Sequence, residues 1–188
     1  MRFSNLQKNR FNIGAVCIII IMIISVYANT LDNEFTNWDD GALILNNLKI
    51  RSLSIDGIKN IFDPSDGGTY QPMRVLSYAI DYRIGGFNPF IYHIHNIILH
   101  ILSSIVLYFF LIQFLPQIQR GVFKNGNFDL ADTCHLKIIT LTAVLFFAVH
   151  PVNVEAVTWL SSRKYVLLAF FAFRKPEPLT VFVKIENC

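Results

Sequence analysis

Two stretches of this sequence carry residue types whose spacing could do chemistry. The first is Asn37-Trp38-Asp39-Asp40. A carboxylate near an apolar boundary has its neutral form favoured, and an adjacent carboxylate raises one of the pair further. That tuning suits a general base. The same residues also read as a solvated loop with an Asx-type turn before Gly41, or as an N-cap for residues 42–46.

The second stretch runs from His150-Pro151 through Glu155, Trp159 and Arg163 to Lys164. With Pro151 at a first helical position, Glu155, Trp159 and Arg163 follow at i, i+4 and i+8 and are expected on one helix face. An acid, an aromatic plate and a cation suit a sugar phosphate: stacking for the ring, charge for the phosphate. The alternative is an interfacial belt, with Trp159 at headgroup level and Arg163 and Lys164 facing lipid phosphates. His93, Asn96 and His100 share a face at i, i+3 and i+7, with His95 pointing elsewhere. No carboxylate or thiol completes a metal set at that spacing, and polar contacts between packed spans are the expected use. Arg74 could reach an anionic group, whereas Asp81 with Arg83 reads as a rim pair worth little.

Composition says what must position these residues. The chain has 188 residues, 53% hydrophobic and only 15% charged, against about 25% charged in ordinary soluble domains. That balance argues against a soluble enzyme and against disorder. A net charge of +3 with no long basic tract gives no electrostatic footprint for nucleic acid. The three cysteines are far apart and form no CxxC or Cys/His pattern, so neither a disulfide framework nor a zinc site is supported. A membrane protein is what remains.

The expected first span is residues 11–28, after a cytoplasmic segment, residues 1–10, carrying Arg2, Lys8 and Arg10. A cleaved signal peptide ending at Ala28 is the rival, although the apolar run exceeds the usual h-region. Residues 29–90 form an external loop holding eight acidic and five basic residues. In it, Leu53, Ile55, Ile58, Ile61 and Phe62 predict a short amphipathic helix in the interface plane, and residues 70–83 a second one started near Pro72. The second span is residues 91–115, capped by Asn88 with Pro89 at its first position and stopped by Pro116. A cytoplasmic loop follows at residues 116–137, with Arg120, Lys124 and Lys137. A third span, residues 138–149, is short and reaches across if the helix starts near residue 131 and Lys137 snorkels. Residues 150–164 return outside, residues 165–173 start a fourth helix that ends early, and residues 174–188 are an atypical tail. The fold class is therefore an all-α integral membrane protein, with about three transmembrane helices plus a truncated fourth.

The ordered motifs, Phe35 to Asp40, Asn46, Tyr70-Gln71-Pro72, Leu76 to Tyr82, Asn88-Pro89, His93, Asn96, Leu99-His100 and His150-Pro151 through Glu155, Trp159 and Arg163, resemble the N-terminal membrane region of the transmembrane-and-tetratricopeptide-repeat proteins. These include bacterial homologues, to which the HPxxxEAVxW stretch looks closer, and eukaryotic O-mannosyltransferases of the GT-C class. The resemblance covers about residues 31–173. It implies that Asp39 and Asp40 are the active-site pair, that the first span is uncleaved, and that the donor is a polyprenyl-phosphate sugar. It also implies an inverting transfer to a protein Ser or Thr, with Arg163, Arg74 or His150 balancing the phosphate. Location would be the inner membrane in a bacterium or the endoplasmic-reticulum membrane in a eukaryote. Divalent-metal dependence is left open, and so is the identity of the sugar. Many members carry a basic residue where Gln71 stands, which removes one source of cation recognition. The family's further spans and repeat array have no counterpart here, so a truncated product, inactive alone, is the expectation. The non-enzymatic alternative is a small non-catalytic multi-pass membrane protein acting as a partner-binding or structural module.

Overall fold

The computed structural model describes residues 2–66, 69–122 and 133–172. Among these residues every regular element is helical. The order is α1 (Arg2–Tyr27), α2 (Ile55–Ile61), α3 (Pro72–Gly85), α4 (Pro89–Val122), α5 (Thr133–Val149), α6 (Asn153–Thr158) and α7 (Arg163–Ala172). Single turns of tighter or wider helix lie between them, at Ala28–Asp32, Gly41–Leu45, Leu48–Arg51, Pro64–Asp66 and Leu160–Ser162.

α1, α4 and α5 form the bundle. Along α1, Ala15, Ile19, Ile23 and Tyr27 recur every fourth residue and are buried against Ile97 and Tyr108 of α4 and Val144 and Ala148 of α5. The outward side chains Ile13, Ile18, Ile21 and Ile24 are equally apolar but exposed. A helix that is apolar all round, yet buried along one seam only, is built for a non-aqueous surround. The direction of packing follows from its ends. Tyr27 meets His100 edge-on with ring centroids 5.5 Å apart, while the Tyr108 hydroxyl donates to Asn12 Oδ1 at the other end of α1, 3.3 Å away. α1 and α4 are thus antiparallel. α5 antiparallels α4 in turn: a His100 ring nitrogen donates to the Ala148 carbonyl at 2.9 Å.

Two helices, Arg10–Asp32 and Pro89–Gln117, are long and apolar enough to cross a membrane. That is fewer than the three spans and truncated fourth expected. α5 has 17 residues, about 25 Å at 1.5 Å per residue, and α7 has only ten. Pro116 does not stop the second span; α4 continues through it to Val122. Proline removes one backbone bond and crowds the preceding turn, but it need not end a helix whose flanking turns stay paired. Lys137, expected to snorkel, is buried with Nζ 5.2 Å from the centre of the Phe11 ring. Lys124, the expected early start near residue 131 and the tail at 174–188 lie outside the described residues.

The described part of the segment between α1 and α4 folds over one end of this bundle. Ser54 caps α2 by accepting from the Gly57 amide. α2 is only seven residues long, with Ile55 exposed and Ile61 buried. α3 turns into α4 at Gly85-Gly86. Gly86 has φ +60°, which side chains disfavour, and a Cβ on Gly85 would lie 2.5 Å from Ile91 Cγ1. As expected, α4 opens at Pro89, with Asn88 Oδ1 accepting from the Phe90 amide at 3.1 Å. A second core of Ile44, Ile50, Ile61, Tyr78, Ala79, Tyr92 and Leu160 joins this layer to the start of α4.

The seam makes a direct prediction for unfolding in lipid nanodiscs followed by circular dichroism. Ile19→Ala, at a site with no exposure, lowers the unfolding free energy by about 2–4 kcal/mol. Ile21→Ala, on the outward face, changes it by no more than about 0.5 kcal/mol. Equal losses at both sites reject the seam.

Candidate functional site

The 150–164 stretch is not one helix. α6 ends at Thr158, Trp159 is extended at φ −86°, ψ 115°, and a tight turn at Leu160–Ser162 leads into α7. Glu155, Trp159 and Arg163 therefore do not share a helix face, as their spacing had predicted. The break exposes backbone groups that would otherwise be unpaired at the bundle end. α3 and α4 supply their partners. The Tyr78 hydroxyl donates to the Leu160 carbonyl at 2.7 Å and Asn96 Nδ2 to the Val157 carbonyl at 3.0 Å. Burial pushes the Tyr78 hydroxyl up to about 12, against the opposing pull of the Arg163 and Arg74 cations. It stays a protonated donor across the physiological range.

Arg163 begins α7 with 0% exposure. Its Nε donates to Asn96 Oδ1 at 2.6 Å and its Nη2 to the Tyr92 carbonyl at 2.8 Å. Its Nη1 donates to Ser77 Oγ at 3.2 Å and to Asp81 Oδ2. The guanidinium carbon lies 4.6 Å from the centre of the Tyr78 ring. Asp81 also bonds the Nδ1 of His95, its other oxygen serving there. Asp81 is thus the buried counter-charge of Arg163 and not a rim partner of Arg83. The sequence hid this because the two residues are 82 positions apart.

Asp40 and Asp39 part company. Asp40 is 1% exposed. One of its oxygens accepts from the Thr36 amide and Oγ1, both at 2.9 Å. The other accepts from the Ser161 amide at 3.0 Å and from the Ser161 hydroxyl. All four lone-pair positions of that carboxylate are engaged. It caps nothing by its side chain at the Gly41–Leu45 turn. Asp39 is exposed. Trp38 is exposed too, and its ring centre lies 6.4 Å from that of Trp159. The acidic stretch and the aromatic one, read apart in the sequence, therefore meet.

Two cavities flank the Asp40–Ser161 contact. One, of about 350 Å³, is lined by Glu34, Thr36, Asp40, His93, Thr158 and Trp159, among others. The other, of about 260 Å³, is lined by Arg74 together with Lys49, Asp63, Tyr70 and Gln71. Arg74 Nη1 donates to the Ser161 carbonyl at 3.3 Å, while its buried Nε has no partner. Glu155 is exposed and half-buried His150 accepts from the Val152 amide at 3.2 Å; neither lines a described cavity. Among the described residues no three His, Cys, Asp or Glu side chains gather as a metal set. Sequence reasoning passed over Glu34, Thr36, Ser161 and His93. Only His93 carried a signal, as part of a polar face, and that face pointed to packing.

An all-helical chain with two candidate spans, and with charged side chains gathered at one end of its bundle, is what fold and site define. It is similar over most of its length to proteins named protein O-mannosyl-transferase. The mouse (Mus musculus) TMTC1 is 29% identical, with 86% of this chain and 17% of that protein covered. The mouse TMTC4 is 31% identical, with 77% and 20% covered. The Drosophila melanogaster Tmtc1 is 30% identical, with 80% and 17% covered. The chain thus spans about a fifth or less of these relatives' own lengths. No family model matches the chain, and no solved structure does.

The Arg163 cluster makes a stability prediction. Arg163→Met leaves Asp81 buried without its cation and lowers the unfolding free energy by about 3–5 kcal/mol. Adding Asp81→Leu to Arg163→Met restores a large part of that loss. Denaturant titration of the single and double variants measures it, and losses that simply add reject a direct ion pair.

Proposed function

We propose that this chain forms the donor end of a membrane glycosyltransferase that moves a mannosyl group from a polyprenyl phosphate to a protein hydroxyl. One observation carries the reading. The Asp40 carboxylate and the Trp159 side chain, from stretches more than a hundred residues apart that the Asp40–Ser161 hydrogen bonds join, line one cavity, with exposed Asp39 next to Asp40 outside that lining. The names of the relatives support the reaction class.

The hydrogen bonds divide the roles. A general base needs a free lone pair within reach of the proton it takes. Asp39 has that freedom; Asp40, with four bonds accepted, positions the segment that carries Asp39. In the reaction Asp39 takes the proton of a Ser or Thr hydroxyl, the oxygen attacks the anomeric carbon, and the bond from that carbon to the phosphate oxygen breaks. The configuration inverts and polyprenyl phosphate leaves. Arg74, with an unpaired buried N–H, lines the second cavity and not the one that Asp40 and His93 line. Arg163, with its guanidinium committed inside the protein, acts at one remove by fixing α7 against α3 and α4. Glu155 and His150 stand on the outer rim, where an acceptor would approach. In this reading the chain is multi-pass with its N terminus in the cytoplasm, and the site faces the opposite side.

The test is transfer of labelled mannose from polyprenyl-phosphate mannose to a Ser/Thr peptide by a full-length relative. Asparagine at the position matching Asp39 lowers kcat by about 10²–10⁴-fold with the donor KM held. Asparagine at the position matching Asp40 lowers activity and folding stability together. Undiminished turnover in the first variant removes the base assignment.

A further inference from the structure

His93 stands out among the buried polar residues of the bundle. It lies one turn into α4, is 1% exposed, and neither ring nitrogen has a hydrogen-bond partner. The Asn33 backbone is close enough to polarise the ring without meeting hydrogen-bond geometry. Its neighbours on the same face behave otherwise: Asn96 and His100 both donate to backbone carbonyls of the chain that follows. Buried polar groups are nearly always paired, and one left unpaired calls for a reason. Here the reason is spatial. His93 lines the 350 Å³ cavity beside Asp40, Thr36 and Thr158, with Glu34 and Trp159 at its wall.

Asp40 has no free lone pair to offer a ligand. Among the polar groups of the cavity, the His93 imidazole is the buried one with no partner and can donate through one nitrogen and accept through the other; the Glu34 carboxylate lines the same cavity. An aromatic pair, Trp38 and Trp159, borders them. Hydroxyl-binding groups beside an indole face are what a sugar ring needs: hydrogen bonds around its edge and stacking on its apolar face. A lipid tail or an apolar side chain would leave the imidazole unmatched.

We propose that this cavity is a saccharide pocket and that His93 is its hydroxyl-binding residue, with Glu34 as the second polar contact. The proposal deepens the transferase reading and rests on it for the sugar, a mannoside.

The whole chain offers its own probe. It has two tryptophans, one lining the cavity and the other beside it, so all tryptophan emission comes from the mouth. In nanodiscs, methyl α-D-mannopyranoside gives a saturable emission change, and His93→Leu weakens the apparent affinity by about tenfold. Without sugar, the same variant melts at an unchanged or higher temperature, because no native hydrogen bond is lost. The wild-type chain supplies a measurement independent of folding in the variant. Of its five histidines, only the His93 ring ¹⁵N resonances shift as mannoside saturates. No saturable response, a His93 resonance unmoved at saturation, or a lowered melting temperature with mannoside affinity intact overturns the pocket. The transfer assay fails separately. A full-length relative that transfers no mannose, while the chain binds mannoside through His93, removes the reaction and leaves the pocket. Transfer that survives leucine at the matching position, with affinity unchanged, removes the pocket and leaves the reaction.

Discussion

The architecture at the end of the bundle depends on hiding one guanidinium. An unpaired cation in a low-dielectric interior is strongly disfavoured, and a buried cation persists only where several groups converge on it. Arg163 is met by Asp81 and Ser77 from α3, by Asn96 and the Tyr92 carbonyl from α4, and by the Tyr78 ring. These partners cannot be supplied unless α3 lies across the first turns of α4 and the chain breaks before α7. Gly85 and Gly86 permit the first condition, by close approach and by positive φ. The extended Trp159 meets the second. The fold of this end is thus the set of backbone paths that satisfies one charge.

That constraint also explains why the acidic stretch is where it is. The break at Trp159 presents the Ser161 amide and hydroxyl, and Asp40 accepts from both. Arg74 takes the Ser161 carbonyl from the opposite side. One residue of a tight turn therefore ties the acidic segment to α3. Carboxylates spent on such ties are Asp40 and Asp81; those left unspent are Asp39 and Glu34. Rigid ionic contacts hold a geometry, and free groups at its edge can act on a ligand. The distribution of hydrogen bonds is consequently a better guide to role than the identity of the residue type.

Much of the frame is legible in the sequence because it rests on local rules. The apolar runs of α1 and α4, the Asn88 cap, the Pro72 start of α3 and the short α2 all follow from neighbours within one or two turns. The failures have one physical source, which is tertiary satisfaction of the backbone and of charge. Helical spacing placed Glu155, Trp159 and Arg163 on a common face. The helix instead opens where Tyr78 and Asn96, from another part of the chain, pair its carbonyls at Leu160 and Val157. Asp81 beside Arg83 looked like a surface pair, since nothing nearby in sequence announces a partner 82 residues on. Pro116 looked like a stop because its effect was judged without the surrounding turns. His93 looked like a packing residue because its spacing matches Asn96 and His100, and only the three-dimensional census of partners separates it from them.

The bundle below has its own part in holding the site. α1 rises along α4 in the opposite sense and ends with Tyr27 against His100, about two turns below His93 on the same helix. The tight turn at Ala28–Asp32 then carries the chain directly over the first turn of α4, where Asn33, Glu34 and Thr36 close one side of the cavity. Twelve residues separate the end of α1 from Asp40, and the turn at Ala28–Asp32 packs the first of them against α4, so the height of α1 bears on that of the acidic segment. α1 is held at that height by a single buried seam and by an apolar exterior that lipid suits better than water. A vertical slip of α1 by one turn, about 5.4 Å, would strain the bonds that Asp40 accepts from Thr36 and Ser161. The every-fourth-residue seam of Ala15, Ile19, Ile23 and Tyr27 opposes that slip, and in doing so it connects the packing of the apolar bundle to the chemistry at its end.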